Sequence, residues 1–172
     1  MIYEYYTDGA CTLKKTDNGY EKGPGGWAFA QVKDNKPIFS DGGHEDNTTN
    51  NAMELKAIYQ ALGHYITHYY SNETYDTVKI YSDSAYCVNM LKTGGWVYSW
   101  SKNNWTRGKK HEPIENLDLI KEIYEILIKL REGFREVEFV KVVGHSDDEL
   151  NDYVDQLAVE AKEGLIRGKR IK

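Results

Sequence analysis

Two cysteines and three prolines among 172 residues exclude several classes at once. Cys11 and Cys87 by themselves build neither a disulfide framework nor a zinc site. So few prolines, with no low-complexity tract, exclude a disordered chain. No apolar run approaches the ~18–20 residues that cross a bilayer. The opening Met1-Ile2-Tyr3-Glu4-Tyr5 has neither the basic start nor the apolar stretch of a secretory signal. Internal repeats and linkers are also lacking. These absences lead to the expectation of a soluble, reduced, cytoplasmic protein with no membrane partner, and of a monomer.

What is present fits one domain, since domains hold roughly 100–200 residues. Hydrophobic residues make up 40% of the chain, enough for one sizeable core, and charged residues 28%. The net charge is −5, but it is unevenly spread. The 28 residues from Ser84 to His111 carry five basic residues (Lys92, Lys102, Arg107, Lys109, Lys110), no acid and three of the four tryptophans. A local basic patch on an acidic protein still binds phosphate, because screening limits distant charges to about 8–10 Å.

Hydrophobic patterning predicts the order βββ-α-β-α-α-α-β-α. Ile2 to Thr7 reads as a strand closed by a turn at Asp8-Gly9. Residues 11–24 read as a polar loop, Trp27 to Val32 as a second strand, and Pro37 to Asp41 as a short third. A helix follows from about Asn50 to Tyr69, with Leu55, Ile58, Ala61, Leu62 and Tyr65 as its apolar stripe. Thr77 to Ser82 is a fourth strand and Ala85 to Leu91 a short helix. Gly94-Gly95 breaks that helix, and a Trp-rich helical piece comes next. Pro113 suits the first residue of another helix, and Val137 to Val143 is the fifth strand. The last helix runs from about Glu149 to Lys162. The expected class is α/β, of the mixed α+β kind. Its five-stranded mixed sheet has three antiparallel strands, then two parallel, flanked by helices.

Four acids stand where acids are costly or conspicuous. Asp8 follows a hydrophobic strand, which also suits a turn aspartate. Asp83 ends a strand and starts a helix, which also suits an N-cap. Glu54 lies within about 40° of the centre of its helix's apolar stripe, and a buried carboxylate is expensive unless paired, hydrogen-bonded or on a metal. Asp155 flanks the stripe of the last helix and, taken alone, suits a surface acid. Strand ends and inward helix faces can converge at one end of a sheet. Carboxylates gathered there need compensation, and oxygen-ligand clusters suit Mg²⁺ or Mn²⁺.

Five blocks then occur in order: Tyr6-Thr7-Asp8-Gly9-Ala10; Pro24-Gly25-Gly26-Trp27; Thr48 through Leu55; Tyr81-Ser82-Asp83-Ser84; and Gly144-His145 with Asn151 through Ala158. This series resembles the type 1 ribonuclease H family over about residues 1–160. The resemblance implies a ribonuclease H-like fold over residues 1–163, with residues 164–172 as a basic tail. It implies an endonuclease, a hydrolase of the RNA strand of RNA–DNA hybrids, that works with two divalent ions and leaves 5′-phosphate and 3′-hydroxyl ends. Mg²⁺ is the expected cofactor, and Mn²⁺ is expected to support activity. Asp8, Glu54, Asp83 and Asp155 correspond to the family's metal-binding carboxylates, and His145 to its loop histidine for proton transfer or product release. Gly9, Cys11, Thr49, Asn50 and Asn51 correspond to hybrid contacts, and Trp96, Trp100, Lys102, Lys109 and Lys110 to its basic protrusion. For the tryptophans, core packing on a shared helical face is the plainer reading, and for Thr49 to Asn51, simple N-capping.

Departures from the family pattern are the longer loop after Cys11 and Ala85 in place of a common glutamine. The chain begins directly at its first strand, so no separate hybrid-binding domain is expected before it. Two rivals compete. A resolvase- or transposase-type nuclease would share the carboxylates but not the Trp-rich basic segment. A non-catalytic hybrid-binding module would be expected to have lost a carboxylate, and all four are present.

Overall fold

A computed structural model describes residues 1–71, 73, 75–143 and 148–164. The elements run β1 (Ile2–Cys11), β2 (Lys14–Thr16), β3 (Gly19–Glu21), β4 (Gly23–Lys33), β5 (Lys36–Thr48), α1 (Asn50–His68), β6 (Thr77–Ser82), α2 (Ala85–Leu91), α3 (Trp96–Lys102), α4 (Leu117–Glu132), β7 (Glu136–Lys141) and α5 (Glu149–Lys162). Five strands form one sheet in the order β5-β4-β1-β6-β7. The first three pair antiparallel, and β6 and β7 join in parallel. The expected mixed sheet is therefore present.

Successive strand residues point to opposite faces, which splits the core in two. Tyr5 and Phe29 pack against Leu55, Ile58, Leu62 and Tyr65 of α1, together with side chains from α2, α3 and α4. Tyr6, Ala28 and Val32 face the other way and pack against Val154, Leu157, Ala158 and Ala161 of α5. The apolar stripe read from the sequence of α1 is buried as a unit. Gly26 permits the second layer: a Cβ there would run into the α5 backbone at Ala158, Ala161 and Lys162.

Several boundaries differ from the sequence reading. β1 does not turn at Asp8-Gly9 but pairs with β4 through Cys11↔Gly25. The polar loop holds a hairpin, β2–β3, with Lys15 opposite Tyr20 and Thr16 opposite Gly19. The third strand is longer than Pro37 to Asp41. Its far half lacks hydrophobic alternation, yet β4 holds it through Gly26↔His44, Trp27↔Gly43 and Ala28↔Gly42. Pro113 does not open a helix. Asn116, at φ 61°, stands in the left-handed region immediately before α4 and redirects the chain there. Trp105 leaves the tryptophan face, because α3 ends at Lys102 and Trp105 itself has φ 58°. It packs edge-on against Tyr124 beneath the ammonium of Lys121. Among the described residues, no helix is long and apolar enough to cross a membrane.

Candidate active site

Asp8 sits on β1 three residues before its end and is 2% exposed. Its Oδ1 accepts the backbone N–H of Gly9 at 2.9 Å. Gly9 stays in the strand and has a different use from a turn. A Cβ there would collide with the α1 backbone at Met53 and Glu54. Glycine lets the helix press onto the strand, and this close approach brings Glu54 beside Asp8.

Glu54 occupies the second turn of α1 and is 8% exposed. The start of that helix is fixed by Thr49, whose side chain accepts the Ala52 N–H at 3.2 Å. Asp83 follows β6 immediately. It is not the cap of α2: Ser84 takes that place and accepts the Cys87 N–H at 3.2 Å. The capping role leaves Asp83 available to the cluster. One oxygen each from Asp8, Glu54 and Asp83 lie within 4.8 Å of one another.

Asp155, half-buried on α5, adds a fourth acid from the opposite layer. It lies near enough for its charge to act on Glu54 and Asp83 and to help raise the Asp8 carboxyl. Strand β1, the residue after β6, and helices α1 and α5 thus supply the four carboxylates that the sequence singled out. His145 lies outside the described residues, as does the tail from residue 165 onward.

The electrostatics follow from crowding. Burial, then the charge of Glu54, pushes the Asp8 carboxyl far above its ordinary range. Burial raises Glu54 too, against the opposing hydrogen bond from Asp8 and with the Asp83 charge adding to the rise. Asp83 is raised by burial and by Asp155, with Lys141 pulling the other way. Crowding of this kind opposes full ionisation unless positive charge is supplied. Glu54 Oε2 is buried without a hydrogen-bond partner. A buried, unpaired carboxylate oxygen beside two further carboxylates fits a hard divalent cation.

The candidate contact residues divide. Asn51, Trp96 and Trp100 line one groove of about 440 Å³ together with Tyr86, Arg107, Ile114 and Glu115. Asn51 and Glu54 lie one turn apart on α1, so the groove and the carboxylate cluster draw on the same end of that helix. Trp96 is 43% exposed, so it is not simply core. Lys102, Lys109 and Lys110 are exposed but do not line the groove, and Asn50 is exposed at the start of α1. The Thr49 side chain is engaged as the cap. The Cys11 thiol points at the Thr48 carbonyl, at 3.3 Å, which leaves only the backbone near Gly9 and Cys11 for contacts. Lys141 escaped the sequence reading, and Asn151 entered it only as the first residue of a motif block. Lys141 ends β7 and tempers Asp83. Asn151 is 2% exposed, and its Oδ1 has no hydrogen-bond partner. Its position, four residues before Asp155 on the same helix, was the available signal.

Known proteins resemble this chain over most of its length. The RNase H family model matches residues 2–163. A Ribonuclease H of Thermoanaerobacter sp. (strain X514) is 41% identical over 160 residues, covering 92% of this chain and 88% of that protein. Among solved structures, LC9-RNase H1, a type 1 RNase H with the type 2 active-site motif, superposes with a TM-score of 0.75 at 25% identity, covering 99% of this chain and 77% of that one. LC11-RNase H1, solved in complex with an RNA/DNA hybrid, shares the fold with a TM-score of 0.60 at 20% identity, covering 94% of this chain and 97% of that one.

Proposed function

The chain belongs to the RNase H family, and from that premise we propose that Asp8, Glu54, Asp83 and Asp155 form the centre at which it hydrolyses the RNA strand of an RNA–DNA hybrid. The observation that carries the assignment is the meeting of Asp8, Glu54 and Asp83 oxygens within 4.8 Å, one of the Glu54 oxygens being buried and unpartnered.

The residues divide the work. Asp8, Glu54 and Asp83 would hold divalent cation directly, with Asp155 completing the site from α5. Two Mg²⁺ ions there would supply the charge that lets water attack phosphorus in line and that stabilises the departing oxygen. Mn²⁺, which takes the same oxygen donors, would substitute. Gly9, the point where β1 lies against the α1 backbone, fixes the spacing between Asp8 and Glu54. Asn51 and the backbone around Gly9 to Cys11 face the strand to be cut, where 2′-hydroxyls distinguish RNA from DNA. Trp96 and Trp100 present ring surface to the other strand, and Lys102, Lys109 and Lys110 add phosphate attraction from the rim. His145 is the candidate for proton transfer or product release, by its place in the motif order.

The products test this chemistry. A carboxylate-and-metal site delivers water to phosphorus, so the RNA fragments should carry 5′-phosphate and 3′-hydroxyl ends. Fragments ending in a 2′,3′-cyclic phosphate would mean attack by the neighbouring 2′-hydroxyl, and would remove the four carboxylates from the mechanism proposed here.

A further inference from the structure

The hairpin β2–β3 stands apart from the rest of the molecule. Its strands form a separate two-stranded sheet, paired only with each other. Five of its six strand residues are exposed and none is buried, so it adds nothing to the core. An isolated two-stranded hairpin is marginal in water, yet this one is tied firmly at its base. Thr12 N–H donates to the Pro24 carbonyl at 2.9 Å, and Gly23 lies against Thr12 so tightly that a Cβ would collide with its carbonyl. At the tip, Gly19 adopts φ 113°, a conformation that side chains resist, and the Thr16 hydroxyl donates to its carbonyl at 3.2 Å.

The register sorts its side chains. Residues directly opposite share a face, so Lys15 and Tyr20 share one face, and Lys14 and Glu21 the other. The first face therefore presents one cation beside one aromatic ring that is 70% exposed. Lys14, Lys15 and Lys22 outnumber Asp17 and Glu21 between Thr12 and Pro24, on a chain whose net charge is −5. A cation paired with an exposed ring is the chemistry that grips a nucleic-acid backbone: the ammonium on a phosphate, the ring on the adjoining sugar.

Its place in the chain gives the hairpin a target. The hairpin continues the β1–β4 ribbon beyond the carboxylates, and Asp8 is seven residues from Lys15. At ~3.3 Å per residue, that is at most about 23 Å. One strand of a duplex advances ~3.4 Å per nucleotide, so the reach is on the order of seven nucleotides. We propose that the β2–β3 hairpin is an outrigger that holds the flank of the hybrid substrate, with Lys15 on a phosphate and Tyr20 on the adjacent sugar, several nucleotides from the cleavage point. The proposal rests on the hybrid being the substrate.

The test is binding in EDTA, where no cleavage intervenes, read by fluorescence anisotropy for the intact protein and for Lys15→Ala/Tyr20→Ala. A hybrid of about 20 base pairs spans the hairpin, whereas one of about 8, centred on the site, extends only about four nucleotides to each side and stops short of it. On the long hybrid the variant should bind about tenfold more weakly, with a salt slope reduced by about 1. On the short hybrid the two proteins should bind alike, and their melting temperatures should match. An unchanged Kd and salt slope on the long hybrid would overturn the proposal, and so would equal weakening on both lengths. Failure of the intact protein to bind or cleave hybrid even with Mg²⁺ present would instead remove the substrate assignment itself.

Discussion

Replacing Asp8 by Asn removes a carboxyl that the fold must either keep protonated or hold as one more charge in a crowded group, and it keeps the shape. The Asn oxygen can still accept the Gly9 N–H that Asp8 accepts at 2.9 Å. Two full charges at the 4.8 Å that bounds the cluster repel by about 3.5 kcal/mol in an effective dielectric of ~20. A proton retained in the cluster relieves part of this, which leaves about 2 kcal/mol for the substitution to recover. For a domain of this size that raises the melting temperature by about 4–8 °C. The pH dependence has a definite sign. Burial raises the Asp8 and Glu54 carboxyls in the fold, so the folded chain keeps protons that the unfolded chain releases. The penalty is absent below the unfolded carboxylate range near pH ~4 and grows as pH rises above it. The stabilisation by Asp8→Asn should therefore be larger at pH 8 than at pH 5 in EDTA, as followed by circular dichroism. Mg²⁺ should then stabilise the native protein by mass action and close the gap, because the variant has lost a ligand. A variant that melts at or below the native protein at pH 8 in EDTA would refute the charge-crowding account.

Gly9→Ala should separate α1 from β1, since the new Cβ meets the Met53 and Glu54 backbone; a loss of about 1–3 kcal/mol in urea unfolding is expected, together with weaker Mg²⁺ binding by calorimetry. Trp100→Ala removes a wall of the groove beside Asn51; KM for hybrid should rise roughly tenfold while kcat changes little in steady-state kinetics. Ile58→Ala leaves a cavity where the side chain is fully buried; urea unfolding should show a loss of about 2–5 kcal/mol, with no effect on the type of ends produced.

The parts of the molecule legible in the sequence are those where periodicity and burial coincide. Helix α1 announced its buried stripe, and Glu54 stood out because a carboxylate lay within it. The mixed character of the sheet, three antiparallel strands and then two parallel, was legible as well, but its order β5-β4-β1-β6-β7 was not. Glycine misled at Asp8-Gly9. A turn is its commonest meaning, but here it admits a helix backbone, a tertiary demand that no local pattern reveals. The far half of β5 is polar and glycine-rich, and it is a strand only because β4 pairs with it. The hairpin was recoverable, since Asn18-Gly19 between short alternating segments is a hairpin signal that a polar composition obscured. Pro113 illustrates a preference overruled by the left-handed Asn116 just before α4. Asn151 shares the buried face of α5 with Val154 and Leu157, and its unpartnered oxygen becomes visible only once the sheet is in place.

The central claim is that these carboxylates cut the RNA of a hybrid. The direct measurement is cleavage of an end-labelled RNA–DNA hybrid with Mg²⁺, beside duplex RNA, duplex DNA and single-stranded RNA, for the native protein and Asp8→Asn. The expected result is cleavage of the hybrid's RNA strand alone, abolished in the variant. Hybrid that is bound but left intact with either Mg²⁺ or Mn²⁺, or cleavage that survives in Asp8→Asn, would contradict it.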